Sequence, residues 1–199
     1  MVDLLLAAEV FVAAYLLGSI PFGLVLTRIA GLEDIRKVGS GNIGATNVLR
    51  TGNKSLAALT LLLDLGKWTL AVLVAKHLVP DLVLVAAAGV ILGHIFTVWL
   101  RFQGGKGVAT AAGILFALGW PIGVGVVATW ISAVAVTRIS SAGALTACLL
   151  APVYTWLATS DTKTTIFVAA MALLIILRHH ANIRRLLSGE ETRIKLGKS

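Results

Sequence analysis

Residues 108–137 read VATAAGILFALGWPIGVGVVATWISAVAVT, from Val108 to Thr137 without one charged side chain. How this run crosses a membrane decides the fold. Its 30 residues exceed the roughly 20 that one spanning helix needs. In its middle, Gly119-Trp120-Pro121 reads as a turn with a helix start at Pro121. The run is therefore either one kinked span or two short spans joined at that turn.

Five further apolar runs flank it: Leu4–Ile29, Ser55–Val79, Leu82–Leu100, Ala142–Ala158 and Thr164–Leu177. The first has 26 residues, enough to span with tilt and too many for a signal-peptide core, so it is read as a mature helix. Charge chooses between six spans and seven. With seven, one side carries Arg28, Arg36, Lys37, Arg50, Lys54, Arg101, Lys106, Arg138, Arg178, Arg184, Arg185, Arg193, Lys195 and Lys198, which is 14 of 17 basic residues. The other side has only Lys163, and Lys67 and Lys76 lie within the second helix. With six, the split becomes eight against seven. Only the first distribution obeys the positive-inside rule. The expected fold is an all-α integral membrane bundle of seven transmembrane helices, N-terminus outside and C-terminus cytoplasmic. The two halves of the 108–137 run are short, so they must sit where the protein is thin or shielded from lipid.

Composition agrees. Of 199 residues, 58% are hydrophobic and 13% charged, against about 25% charged in a soluble domain. So little polar surface excludes a soluble globular enzyme, a disordered chain and a disulfide scaffold. Residues 1–199 are expected to form a single membrane-embedded domain. The net charge of +8 reads as topology, not nucleic-acid binding. Cys148 is the only cysteine and reads as a small buried hydrophobe. No metal site and no cofactor are expected.

The outer connections are tiny, so the chemistry must lie in the cytoplasmic segments. The first holds Gly39-Ser40-Gly41-Asn42-Ile43-Gly44-Ala45-Thr46-Asn47, then Arg50. Its glycines permit positive φ and close backbone approach. Inward-turned N–H groups in such a loop form an anion nest, and Arg50 adds a phosphate fork. The Walker A ending is missing. The second segment, Arg101-Phe102-Gln103-Gly104-Gly105-Lys106-Gly107, opens a helix at Val108. A helix N-terminus beside a lysine is a ready anion site. The third, Arg138-Ile139-Ser140-Ser141, taken alone is a tight turn with serine caps. The last, Arg178–Ser199, begins with a short amphipathic helix bearing Ile183, Leu186 and Leu187 on one face. His179 and Asn182, three apart, share a face there.

Within the membrane, Asp64 and Lys67 are three apart and can pair. Two readings fit the pair: function, the default for ionisable groups at depth, or a structural brace. His94 lies about 9 Å above the cytoplasmic end of its helix by the helical rise. It either reaches the same site or bonds a neighbouring helix. In the seven-span topology the glycine loops, the serine turn and the His/Asn segment share one membrane face. They combine several cations, two nests and hydroxyls with few carboxylates. Such a site suits two phosphate-like anions without a metal, on a substrate with one apolar end.

At these residues the chain resembles the PlsY family, the bacterial acyl-phosphate-dependent glycerol-3-phosphate acyltransferases. The matching stretches are Tyr15–Gly23, Gly39–Asn47, Gly93-His94, Gly104–Thr110, and Arg178-His179 through Asn182-Ile183 to Arg185-Leu186-Leu187 with Gly189 and Glu191. Thr97 stands where the family usually has proline, and Ala144 where some relatives carry serine. The resemblance implies seven helices, an active site on the cytoplasmic side of the bacterial inner membrane, and acyl transfer from acyl phosphate to the sn-1 hydroxyl of glycerol 3-phosphate. It implies that Arg50, Lys106, Ser141, His179 and Asn182 bind glycerol 3-phosphate, and that Ser40, Gly41, Asn42, Gly44, Thr46 and Asn47 cradle the acyl phosphate. Ser141, His179 and Asn182 are the expected catalytic residues, with either His179 or the substrate's own phosphate as base. Lys67, His94, Gly104, Gly105 and Gly107 complete the expected substrate-binding set. Expected partners are membrane lipid and the acyl-phosphate-producing enzyme, and no nucleic acid. Two other classes remain as alternatives. An anion or phosphate transporter would need a polar path through the membrane, for which only Asp64, Lys67 and His94 qualify. An intramembrane serine hydrolase would need its nucleophile within a helix, whereas Ser40 is in a polar loop.

Overall fold

The computed structural model describes residues 3–194. Lys195 and Lys198, two residues of the charge count, lie outside them. Every regular element among the described residues is helical. The chain forms two compact units, one ending at Leu118 and the other starting at Gly119. The division falls at the turn that sequence reading singled out.

The first unit holds α1 (Leu4–Gly18), α2 (Phe22–Ile29), α3 (Ala45–Leu49), α4 (Lys54–Leu78), α5 (Val83–Ile95) and α6 (Val108–Leu118). The run expected as one helix over 4–29 is broken at Ser19-Ile20-Pro21. Pro21 lacks an N–H and disfavours helical geometry at Ile20. α1 and α5 touch backbone to backbone through small residues. A Cβ on Gly93 would lie 2.1 Å from the Tyr15 carbonyl oxygen, and one on Gly89 2.5 Å from that of Phe11. This is how membrane helices gain packing where lipid gives no hydrophobic drive. α6 packs on α4 and α5, and most of its side chains are buried. Its 11 residues extend about 16 Å at the helical rise, too short for a bilayer core of about 30 Å. The shielding expected for a short half-span is present here.

The segment between α2 and α4 has its own small core of Leu24, Ile35, Ile43, Val48 and Ala57, with Leu56 and Leu100 against it. It anchors the first glycine loop from below.

The second unit comprises α7 (Trp120–Thr137), α8 (Ser140–Thr159), α9 (Thr162–Arg178) and α10 (His180–Leu187). Gly119, in extended backbone, precedes α7, whose first turn contains Pro121. Asp161 caps α9 by accepting from the Thr164 amide at 3.0 Å. α10 leaves α9 at a 62° bend.

Among the described residues, five segments are long and apolar enough to cross a membrane: 4–29 taken across its break, α4, Pro80–Leu100, α7 and α8. The α9–α10 pair is a sixth if counted as one span. The protein is thus an all-helical, multi-pass membrane protein.

Candidate active site

The first glycine loop is organised by Asn47. Its side chain is buried, and its Nδ2 donates to the carbonyls of Ile35 (2.7 Å) and Val38 (3.0 Å). Its Oδ1 accepts from the Ser40 amide at 3.1 Å, and from Ser40 Oγ and Arg50 Nη1, each at 3.4 Å. Asn47 thus closes the loop on itself and orients the Arg50 fork. Gly39 and Gly41 adopt φ of 55° and 69°, where an L side chain is strained. A Cβ on Gly39 would also lie 2.6 Å from Arg50 Cδ. Glycine there makes room for the arginine as well as for the turn. Ser40 and Gly41 are exposed, while Asn42, Gly44, Thr46 and Arg50 are half-buried. Upstream, Asp34 caps a 3-10 turn at Ile35–Lys37. The Arg36 side chain hydrogen-bonds to it, lowering its pKa to about 2.

The second loop departs from the nest geometry that sequence reading expects. The Gly104 amide donates to the Ile95 carbonyl at 3.1 Å, and the Gly105 amide to that of His94 at 3.0 Å. These two N–H groups therefore face the end of α5 and not an anion. The glycines serve contact: a Cβ on Gly104 would lie 2.0 Å from the His94 carbonyl oxygen, and one on Gly105 2.1 Å from His94 Nε2. Gly107, at φ 87°, turns the chain into α6. Lys106 is half-buried between Gly105 and Gly107. Just upstream, Arg101 and Phe102 both hold positive φ, 51° and 63°. Backbone strain of this kind concentrates at functional sites.

The bend after α5 needs no proline. Thr97 takes φ −59°, and its buried hydroxyl donates to the Gly93 and His94 carbonyls, both at 3.0 Å. His94 is buried, its ring edge-on to Trp68 at 5.5 Å between centroids. Lys67 pairs with Asp64 at 2.9 Å and donates to the Ile20 carbonyl. The pairing expected from the spacing is formed.

In the second unit, one carboxylate gathers the candidates. Glu191 Oε1 accepts from Ser141 Oγ at 3.0 Å and from Asn182 Nδ2 at 2.6 Å. Its Oε2 accepts from Arg185 Nε at 2.5 Å. Burial pushes the Glu191 carboxyl up, but the hydrogen bonds from Arg185, Asn182 and Ser141 together hold it below the ordinary carboxylate range. The serine-cap reading of residues 138–141 is corrected: Ile139 occupies the cap position, no side chain caps the helix, and Ser141 in the first turn turns to Glu191. The segment carrying Glu191 is tied down by the Ile194 amide on the Arg138 carbonyl at 2.7 Å. His179, buried at the α9–α10 bend, has Nδ1 2.7 Å from the Ile175 carbonyl. A carbonyl can only accept, so Nδ1 carries a proton in this contact. Sequence reading missed Glu191 and Arg185 as site residues. The available signal was a carboxylate in a strongly basic tail, close after Asn182.

Comparison with known proteins follows the same residues. The family model described as "Glycerol-3-phosphate acyltransferase" matches residues 8–189. A glycerol-3-phosphate acyltransferase of Mesorhizobium japonicum is 52% identical over 190 residues, 96% of each chain. One of Maricaulis maris is 53% identical, covering 98% of this chain and 90% of its own. Two solved structures of PlsY, an integral membrane glycerol 3-phosphate acyltransferase, share the fold. The glycerol 3-phosphate form superposes with TM-score 0.90 at 35% identity, covering 95% of this chain and 96% of that one. The lysophosphatidic acid form gives 0.88 at 34%, covering 95% of each.

Proposed function

The chain belongs to the glycerol-3-phosphate acyltransferase family, and on that premise we propose that it transfers the acyl group of an acyl phosphate to the sn-1 hydroxyl of glycerol 3-phosphate. The products are lysophosphatidic acid and inorganic phosphate, the first step of phospholipid synthesis. The protein is an acyltransferase, so the transporter and hydrolase alternatives fall away. The observation that carries the reading is the pair of solved relatives in glycerol 3-phosphate and lysophosphatidic acid forms, the acceptor and product of this reaction.

The hydroxyl oxygen of glycerol 3-phosphate attacks the acyl carbonyl carbon. The bond from that carbon to the bridging oxygen breaks, and phosphate leaves with the electron pair. An acyl phosphate is a mixed anhydride with a good leaving group, so positioning and charge stabilisation suffice without a metal. Arg50 and Lys106 supply fixed positive charge for phosphate. The Ser40–Asn47 loop, with Gly41, Asn42, Gly44 and Thr46, cradles the acyl-phosphate group. Ser141, His179 and Asn182 hold glycerol 3-phosphate. The hydroxyl proton passes to His179 or to a substrate phosphate. Residues 1–199 act as one domain of seven spans in the inner membrane. The N-terminus lies outside and the site on the cytoplasmic side, where the acyl-phosphate-producing enzyme can deliver its product.

The test uses protein purified in detergent, with acyl phosphate and glycerol 3-phosphate. One phosphate released per lysophosphatidic acid, acylated at sn-1, is expected, with no turnover of an acyl thioester. Turnover only with the thioester, or acylation at sn-2, would overturn the donor or the regiochemistry. A C-terminal reporter active only in the periplasm would overturn the topology.

A further inference from the structure

Two chains of contact start at one buried cation. The Lys67 side chain is 3% exposed, and its Nζ donates to the Ile20 carbonyl at the α1–α2 break. It lies 4.9 Å from the centroid of the Phe22 ring and 4.0 Å from that of Trp68. Phe22 begins α2, and its neighbour Gly23 abuts the first glycine loop: a Cβ on Gly23 would lie 2.0 Å from the Ile43 carbonyl oxygen. Trp68, wholly buried, meets His94 edge-on. His94 in turn holds the Gly105 amide by its carbonyl and fills the space beside Gly105 by its ring. One arm therefore ends at Ile43 in the first glycine loop, the other at Gly105 in the second.

We propose that Lys67 is the positioning residue of the first unit, fixing both glycine loops at once through Ile20–Phe22 and through Trp68–His94. It acts on backbone and rings, not as the substrate contact that sequence reading suggested. A cation suits the task. An ammonium can satisfy a carbonyl at a proline break while its charge lies over two aromatic faces. Asp64, 2.9 Å away, supplies the counter-charge that makes such burial tolerable. A mere brace between helices would need the ion pair but neither arm. What the loops bind rests on the proposed function; that Lys67 positions them does not.

Amide hydrogen exchange and kinetics together test this. In the double variant Asp64→Asn/Lys67→Met, neutral and close in size, the amides of Ser40, Gly41, Gly104 and Gly105 should exchange at least about tenfold faster. Those of α8 should not change. The kcat/KM for each substrate should fall about thirtyfold, the scale of small misplacements at reacting centres. Asp64→Asn alone removes the counter-charge and should lower the melting temperature, but it keeps the Lys67–Ile20 contact and should therefore loosen the loop amides less than the double variant does. Val72→Ala, a buried α4 change outside both arms, should lose stability while keeping loop protection. If the double variant does not fold, Trp68→Leu replaces it: this should loosen Gly104 and Gly105 and leave Ser40 and Gly41 protected. Unchanged loop exchange in the double variant overturns the proposal. So does a double variant no worse than Asp64→Asn, or Trp68→Leu loosening both loops equally. Because exchange is read without substrate, failure of the acyl-phosphate reading would leave this test intact.

Discussion

The glycine loops of the first unit and the Glu191 cluster of the second are ordered by opposite means. The direct backbone bonds of the loops run between neutral groups, backbone amides on the carbonyls of Ile95 and His94 and the Asn47 amide on those of Ile35 and Val38, and Lys67 reaches the loops only through Ile20–Phe22 and Trp68–His94. Their cations, Arg50 and Lys106, have no part in those backbone bonds. The cluster is held by charge: Ser141, Asn182 and Arg185 all donate to one carboxylate. A region ordered by close contact should be indifferent to pH and intolerant of a single added methyl. A region ordered by an ionised hub should tolerate volume and fail on protonation.

The largest effect expected is therefore steric. Gly104→Ala places its Cβ 2.0 Å from the His94 carbonyl oxygen. That neighbour is backbone and cannot rotate away, so the loop must move. A loss of about a hundredfold or more in kcat/KM is expected, as for a displacement of about 1 Å at a reacting centre. Helix content should be kept, as read by circular dichroism. Parental kinetics would mean that the loop's place is not what catalysis needs.

Lys106→Ala comes next and separates charge from contact. A charge-assisted hydrogen bond contributes about 1.5–3 kcal/mol. The KM for glycerol 3-phosphate should rise about ten- to a hundredfold, and that for acyl phosphate less. The bonds of the Gly104 and Gly105 amides to the end of α5 are kept in this variant. Equal rises in both KM values would put Lys106 between the two phosphates.

Glu191→Gln tests the other region. It keeps an acceptor for Ser141 and Asn182 but removes the charge. The Arg185 partner is one-third exposed, so its ion pair adds little. A stability loss of about 1–2 kcal/mol and about a tenfold lower kcat/KM are expected. The Glu191 pKa lies below its ordinary value in the folded protein. Its contribution is therefore complete above the unfolded-state pKa of about 4.3. It is lost as pH falls through the lower folded value. Thermal melts of the parent should be flat down to about pH 5 and steepen below about pH 4, with a shallower acid slope in Glu191→Gln. Equal slopes would remove Glu191 from its place as hub.

What the sequence made legible divides along the same line. Apolar run lengths located most of the helices, though not the break at Ser19-Ile20-Pro21, and the Gly119-Trp120-Pro121 turn located the break between α6 and α7. Local spacing also found the Asp64–Lys67 pair. Contacts over long separations were out of reach. Nothing local says that Glu191 will accept from Ser141, 50 residues away. Nor does it say that the Gly104 and Gly105 amides will turn back onto α5. Glycine richness has two physical uses, open amides for an anion and close packing of backbone. Sequence alone does not separate them; at Gly104 and Gly105 packing claims both amides.

Thr97 stands where the family resemblance leads one to expect proline, and the effect expected there is the smallest. Its φ of −59° is already within reach of a proline ring, which fixes φ near −65°. Phe96 before it, at φ −114° and ψ 58°, has left the helical region that proline disfavours in its predecessor. Thr97→Pro would remove the hydroxyl's bonds to the Gly93 and His94 carbonyls. It would gain about 0.4–1 kcal/mol by restricting the unfolded chain. The two nearly cancel, because the Thr97 hydroxyl shares the His94 carbonyl with the Gly105 amide, which stays bonded. A melting temperature within about 4 °C of the parent is expected, and KM values within about threefold. A loss near tenfold would show that the hydroxyl, and not the bend, sets the His94 carbonyl for the second loop. Contact alone would then no longer explain how that loop is held.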